Sequence, residues 1–269
     1  MIRWNAAAAA LALAAASPAR AGLVVTMTDG DGRTSVTSIE GKKLRVEHPR
    51  QGEEAAHLTL FDGDAHHLVE VDPSSRTYRV MTEAQGQELS ARLQKMLAQL
   101  PPEQRARAEA ALAKRQATPA KQRDIRFEPL GGGEEVAGFA CQRYRVLRDG
   151  RRDEEGCFIP WSARAATRDD LAAFLELGRF FEGFTAAASG GRSRPGAARW
   201  MGEELARAPG FPAVLEHLGA DGKRTSVHRL VKLERTRVPA DRFAIPEGYA
   251  EVQSPLLDDA SPRRARRGR

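Results

Sequence analysis

The chain has 269 residues with 42 basic and 36 acidic side chains, enough length for one large β-rich domain with a sizeable core. Its formal charge of +6 gathers at the two ends, in Arg3 and Arg20 and in the five arginines from Arg263 to Arg269. The intervening body is left near −1, which excludes a basic nucleic-acid-binding face.

Arg3 precedes an apolar Ala/Leu stretch from Ala6 to Ala16, shorter than the roughly 20 apolar residues a membrane-spanning helix needs. Ser17 and Pro18 break it, and Ala19-Arg20-Ala21 supplies the small residues of a signal-peptidase site. Residues 1–21 are therefore expected to be a cleaved leader, with the mature protein starting at Gly22 in the periplasm or outside the cell. No cysteine follows the site, so lipid anchoring of the new N-terminus is not expected, and no later stretch reaches transmembrane length.

Strands then arrive in hairpins. Alternating residues from Gly22 to Thr28, Thr34 to Ile39 and Lys43 to Glu47 are separated by Asp-Gly and Glu-Gly turns. Leu58 to Phe61, His66 to Val71 and Tyr78 to Met81 continue the meander. Thr82 and Gln85 form a capping box opening a helix whose Leu89, Leu93, Met96, Leu97 and Leu100 share one stripe. Pro101-Pro102 ends it, and a polar helix from about Glu103 to Lys114 follows.

The two cysteines come next, at Cys141 and Cys157. If Arg148-Asp149-Gly150 is a three-residue hairpin loop, Leu147 faces Arg151 and Cys141 falls opposite Cys157, within disulfide reach. Export supplies the oxidising compartment. The spacing excludes a CxxC redox pair, and a zinc half-site lacks two ligands.

Thr167 and Asp170 form a second capping box, ahead of a helix carrying Leu171, Phe174, Leu175, Phe180, Phe181 and Phe184. This aromatic density suits either the lining of a ligand pocket or plain core against a sheet. A helix near residues 197–208 and a hairpin from Phe211 to Leu233 follow. The Arg-rich tail, residues 254–269, has the composition of a disordered segment.

No nucleophile elbow, His-Glu-x-x-His or P-loop occurs. Gly131-Gly132-Gly133 precedes a strand and not a helix, so it reads as a loop and not a phosphate cradle. Asp29 and Asp31 fit no calcium-loop register. His66 and His67, as strand neighbours, point to opposite faces. His217 and His228 can share a face, with Glu216 on the other, but lack a third metal ligand. No catalytic residue, metal or cofactor is therefore expected.

The leader, the Val71-Asp72-Pro73 step before Tyr78, the capped helix, the Val136-Ala137-Gly138-Phe139-x-Cys141-x-x-Tyr144 hairpin and the Phe243-x-Ile245-Pro246-x-Gly248-Tyr249 ending together resemble an uncharacterised family of exported bacterial proteins of unknown function. That family is similar to the LolA/LppX-like lipoprotein carriers. The resemblance covers nearly the whole mature chain and implies an α+β fold. Its core would be an open, curved antiparallel half-barrel with helical insertions at 82–116 and 167–208 packed on its concave side. In carriers of known role that concavity holds acyl chains, although none of their binding residues maps onto this sequence and the polar helix from Glu103 departs from their pattern. Residues 22–253 are expected to be one domain. Three readings stay open: a non-enzymatic envelope protein binding a lipid or other hydrophobic ligand, a structural or protein-interaction module of the envelope, and, least favoured, an enzyme, which would need a buried cluster of titratable groups that the linear sequence does not announce.

Overall fold

Short side chains that bond their own backbone make the first turns. The Asp29 carboxylate accepts from the Asp31 and Arg33 N–H groups, turning β1 (Gly22–Asp29) into β2 (Thr34–Glu40). Gly41, at a φ of 58° that glycine adopts without strain, turns β2 into β3 (Lys43–His48). Asp62 and Asp72 repeat the device between β4 (His57–Asp62), β5 (His67–Asp72) and β6 (Thr77–Thr82). The computed structural model describes residues 21–50, 56–117, 124–188, 204–219 and 221–253. Of the leader expected at residues 1–21, residues 1–20 lie outside them, as do all residues of the tail expected at 254–269.

Helices α1 (Glu83–Gln99) and α2 (Pro102–Ala117) separate this meander from a second one. The second comprises β7 (Ile125–Val136), β8 (Phe139–Arg148), β9 (Arg151–Pro160), β10 (Gly210–Leu218) and β11 (Arg224–Thr236). Between β9 and β10 come two 3-10 turns, Trp161–Ala163 and Arg168–Leu171, then α3 (Ala172–Ala188) and a helical turn at 204–207. Of the helix expected near 197–208, residues 197–203 lie outside the described residues. A two-residue strand, β12 (Ala250–Glu251), adds to β6.

The strands form one sheet in the order β12-β6-β5-β4-β3-β2-β1-β11-β10-β9-β8-β7. Neighbours are antiparallel except β12, which runs parallel to β6. The two meanders therefore join where β1 meets β11, and the sheet is open at β12 and β7.

Both capping boxes form. Thr82 accepts from the Gln85 N–H while the Gln85 side chain accepts from Thr82, and Thr167 and Asp170 do the same at the 3-10 turn leading into α3. On the sheet face under α3, Leu23, Val25, Ile39, Leu44, Phe61 and Leu68 share a core cluster with Ala173, Leu177 and Phe180. The opposite face of β4 and β5 is also covered. Leu58, Leu60, Val69 and Val71 pack under Ile245 and Tyr249 of the segment after β11, which is why these strands read as nearly continuous apolar runs.

Three local expectations are corrected. The β8–β9 hairpin closes on a two-residue turn, Asp149 and Gly150 at φ 54° and 77°, the type I′ geometry an Asp-Gly pair favours. Arg148 therefore pairs with Arg151, and a bulge past Leu147 shifts the ladder so that Arg143, not Cys141, lies opposite Cys157. The Cys141–Cys157 disulfide forms on the diagonal, with Cα atoms 5.4 Å apart. The glycine run lies inside β7, where Gly131 and Gly132 at φ 72° and 69° make a bulge beside β8. His66 belongs to the β4–β5 turn at φ 51°, and only His67 is in the strand.

Candidate functional site

Alternation along the second meander puts a charge at the end of an apolar row. On β8, Arg148 follows Tyr144 and Val146 at two-residue intervals, and on β9 Glu154 shares its face with Gly156 and Phe158. His217 of β10 pairs with Glu154 and completes the row. Over this face lies a cavity of about 300 Å³, at the lower end of the range for small-molecule sites. Its walls come from β1 and β2 (Val25, Met27, Ile39), from β7 and β9 (Phe127, Phe158), and from Leu205 of the helical turn.

These walls require a bent sheet. Six strand spacings separate β2 from β7 in the sheet order, roughly 29 Å if flat. Side chains of both strands meet at one cavity only because the sheet curls, which is consistent with an open half-barrel.

At one end the lining turns polar. Arg148, 6% exposed, donates from Nε to Glu204 Oε2 at 3.0 Å and from Nη2 to Glu204 Oε1 at 2.6 Å. The same Nη2 lies 3.3 Å from Oε2 of Glu154, itself 2% exposed. That carboxylate oxygen is 2.9 Å from His217 Nδ1. Fork-shaped bonds of this kind are among the stronger hydrogen bonds proteins make.

The network moves its titrations in one sense. The hydrogen bond to Glu154 raises the His217 imidazole above its ordinary value, with burial opposing. Burial pushes the Glu204 carboxyl upward, and Arg148 pulls it back only in part while neighbouring Glu154 adds to the rise. Burial works against the Arg148 charge, but the bonds to Glu204 and Glu154 outweigh it and hold the guanidinium ionised.

Of the residues expected to line a pocket, Leu171 and Phe174 face this cavity. Phe180 is buried against Phe61, with ring centres 5.7 Å apart, and contacts Phe181 and Phe184. These three and Leu175 are not among the lining side chains. Cys157 lies on the sheet face opposite Glu154 and Phe158, so the disulfide braces the wall from behind. His217 and His228 do meet, rings 5.9 Å apart edge to face. Among the described residues no group of three or more His, Cys, Asp or Glu side chains is arranged to hold a metal ion. No helix of the described residues is long and apolar enough to cross a membrane.

Arg148, Glu154 and Glu204 were not singled out by the sequence. A three-residue loop assigns Arg148 to the turn, and only the two-residue turn returns it to the apolar face of β8. The signal that finds it is the Asp149-Gly150 pair, which prefers the shorter turn.

The family model for a domain of unknown function, DUF4412, matches residues 72–249. The chain belongs to the DUF4412 family. The matched span begins at the end of β5 and stops at Tyr249, so it takes in Arg148, Glu154, Glu204 and His217, whereas β1 to β4 precede it. No curated protein matches the chain. Among solved structures, an uncharacterised conserved protein from Thermus thermophilus is 10% identical, with a TM-score of 0.44 over 87% of this chain and 91% of that one. MucB of Pseudomonas aeruginosa in its complex with MucA is 12% identical, with a TM-score of 0.36 over 84% of this chain and 56% of that one. Likenesses this remote assign no activity to the DUF4412 chain.

Proposed function

We propose that this DUF4412 protein is an exported, non-enzymatic binding protein of the LolA/LppX-like half-barrel kind, and that it holds a hydrophobic ligand in the cavity under α3. The observation that carries the reading is the cavity itself, about 300 Å³ with predominantly apolar walls, kept open between a curled sheet and its helical cover. A filled core would place side chains there at the packing density proteins normally reach. The Cys141–Cys157 disulfide supports an oxidising compartment, in agreement with the leader-like N-terminus.

The test is uptake of the neutral probe N-phenyl-1-naphthylamine by delipidated protein, read as enhanced fluorescence. Leu215→Trp, which fills the cavity from β10, should weaken uptake at least about tenfold while circular dichroism stays unchanged. If the unmodified protein takes up no probe, the ligand-binding reading falls.

A further inference from the structure

The polar end of the cavity also limits which ligand fits, an inference that rests on the binding reading above. We propose that the cavity selects amphiphiles ending in a primary ammonium group over those ending in a carboxylate.

The charges at that end decide it. Two carboxylates, Glu154 and Glu204, one guanidinium, Arg148, and one imidazole, His217, line the cavity. Arg148 already bonds both oxygens of Glu204 and one of Glu154. With both carboxyls ionised the cluster is thus −1 with a neutral imidazole and 0 with a protonated one. A carboxylate head group entering here would be a third anion in an apolar enclosure, with Arg148 engaged by the first two. Its water shell would be lost without compensation. An ammonium group meets the reverse situation. Each carboxylate has about four acceptor positions, and the bonds from Arg148 and His217 occupy only some of them. Attraction between opposite charges is stronger in such surroundings than in water.

The proton on His217 competes with that ligand charge. The charged and titratable groups facing His217 are Glu154 on β9, Arg148 on β8, Glu204 at the helical turn and, ring to ring, His228 on β11. Once the imidazole is neutral, the excess negative charge is free to hold an ammonium. Ammonium binding should therefore tighten as pH rises through the His217 titration, while binding of a neutral alcohol should not change.

Three chain-matched probes, decylamine, decanol and decanoate, kept below their aggregation concentrations, test this by displacing N-phenyl-1-naphthylamine from the full-length mature protein. Decylamine should bind at least roughly tenfold more tightly than decanoate, with decanol between them, and the ratio should be larger at about pH 8.5 than at about pH 6. In Glu154→Gln the ratio should collapse toward one; the unmodified protein decides the matter even where that variant does not fold. Decanoate binding as tightly as decylamine would overturn the selectivity and leave the cavity reading intact. If neither decanol nor the naphthylamine binds, both ideas fall together.

Discussion

Arg148 is the residue on which the polar end of the cavity depends. It stands between buried Glu154 and half-buried Glu204, and removing it leaves Glu204 without its cation and Glu154 with the His217 imidazole alone. Arg148→Met should cost roughly 3–5 kcal/mol, read from the midpoint of a urea unfolding curve. Adding Glu154→Gln and Glu204→Gln should recover most of that loss, because buried ion groups are replaced by neutral ones with little net penalty. A triple variant as unstable as the single one would mean that packing of the arginine stem, not charge, sets the cost. Gly210 makes a contrasting case at the same scale. A Cβ there would lie 2.0 Å from the Ile159 carbonyl oxygen, so β9 and β10 approach this closely only because the position has no side chain.

Among the elements, the β8–β9 hairpin shows which levels of structure the sequence makes legible. The strands and both capping boxes follow from alternation and from Thr-x-x-Gln and Thr-x-x-Asp spacings, because those signals are local. Register is not fully local. The shorter turn and one bulged residue past Leu147 each shift the ladder by one residue, together moving Cys141 from the opposed to the diagonal position, yet the bridge still closes. The same limit applies to the cavity. The capping box and the aromatic run after it draw notice to Leu171 at the end of the 3-10 turn and to Phe174 on α3, whereas the facing walls come from strands far apart in the chain. No periodicity links Val25 to Phe127. The disulfide closes a loop of sequence separation 16, so Cys141→Ser with Cys157→Ser should lower stability by about 3 kcal/mol in the chain-entropy description. Calorimetry of the variant would show it, and an unchanged melting temperature would mean the hairpin is held by its ladder alone.

For the molecule as a whole, the shifted groups place the stability maximum at mildly acidic pH. The Ser74 and then the Ser75 hydroxyl hold Asp72 down to about 2. At Asp170 the upward push of burial is outweighed by Arg235 and Thr167. Carboxyls depressed in this way stabilise the fold above their ordinary value of 3.8, and that contribution is lost as pH falls through the lowered one. Glu204 and His217 act in the opposite sense. Both are raised, so stability declines as pH climbs from the ordinary values of 4.5 and 6.5 through the folded ones. Melting temperature should therefore peak between these limbs, and His217→Asn should flatten the upper one. A melting temperature that keeps climbing through neutral into alkaline pH would refute the assignment.

The place of β1 has a consequence for biogenesis. It is the first strand to emerge, yet it occupies the middle of the sheet, and its partner β11 is among the last segments synthesised. Each meander can zip up from its own hairpins, but the junction between them must wait for almost the entire polypeptide and bears most of the loop-closure entropy. In pulse-labelled hydrogen exchange during refolding, amides of β8 and β9 should gain protection before those linking Val25 to Leu233. Until that junction closes, the two lips of the future cavity are separate objects, so a newly made chain has no enclosed pocket.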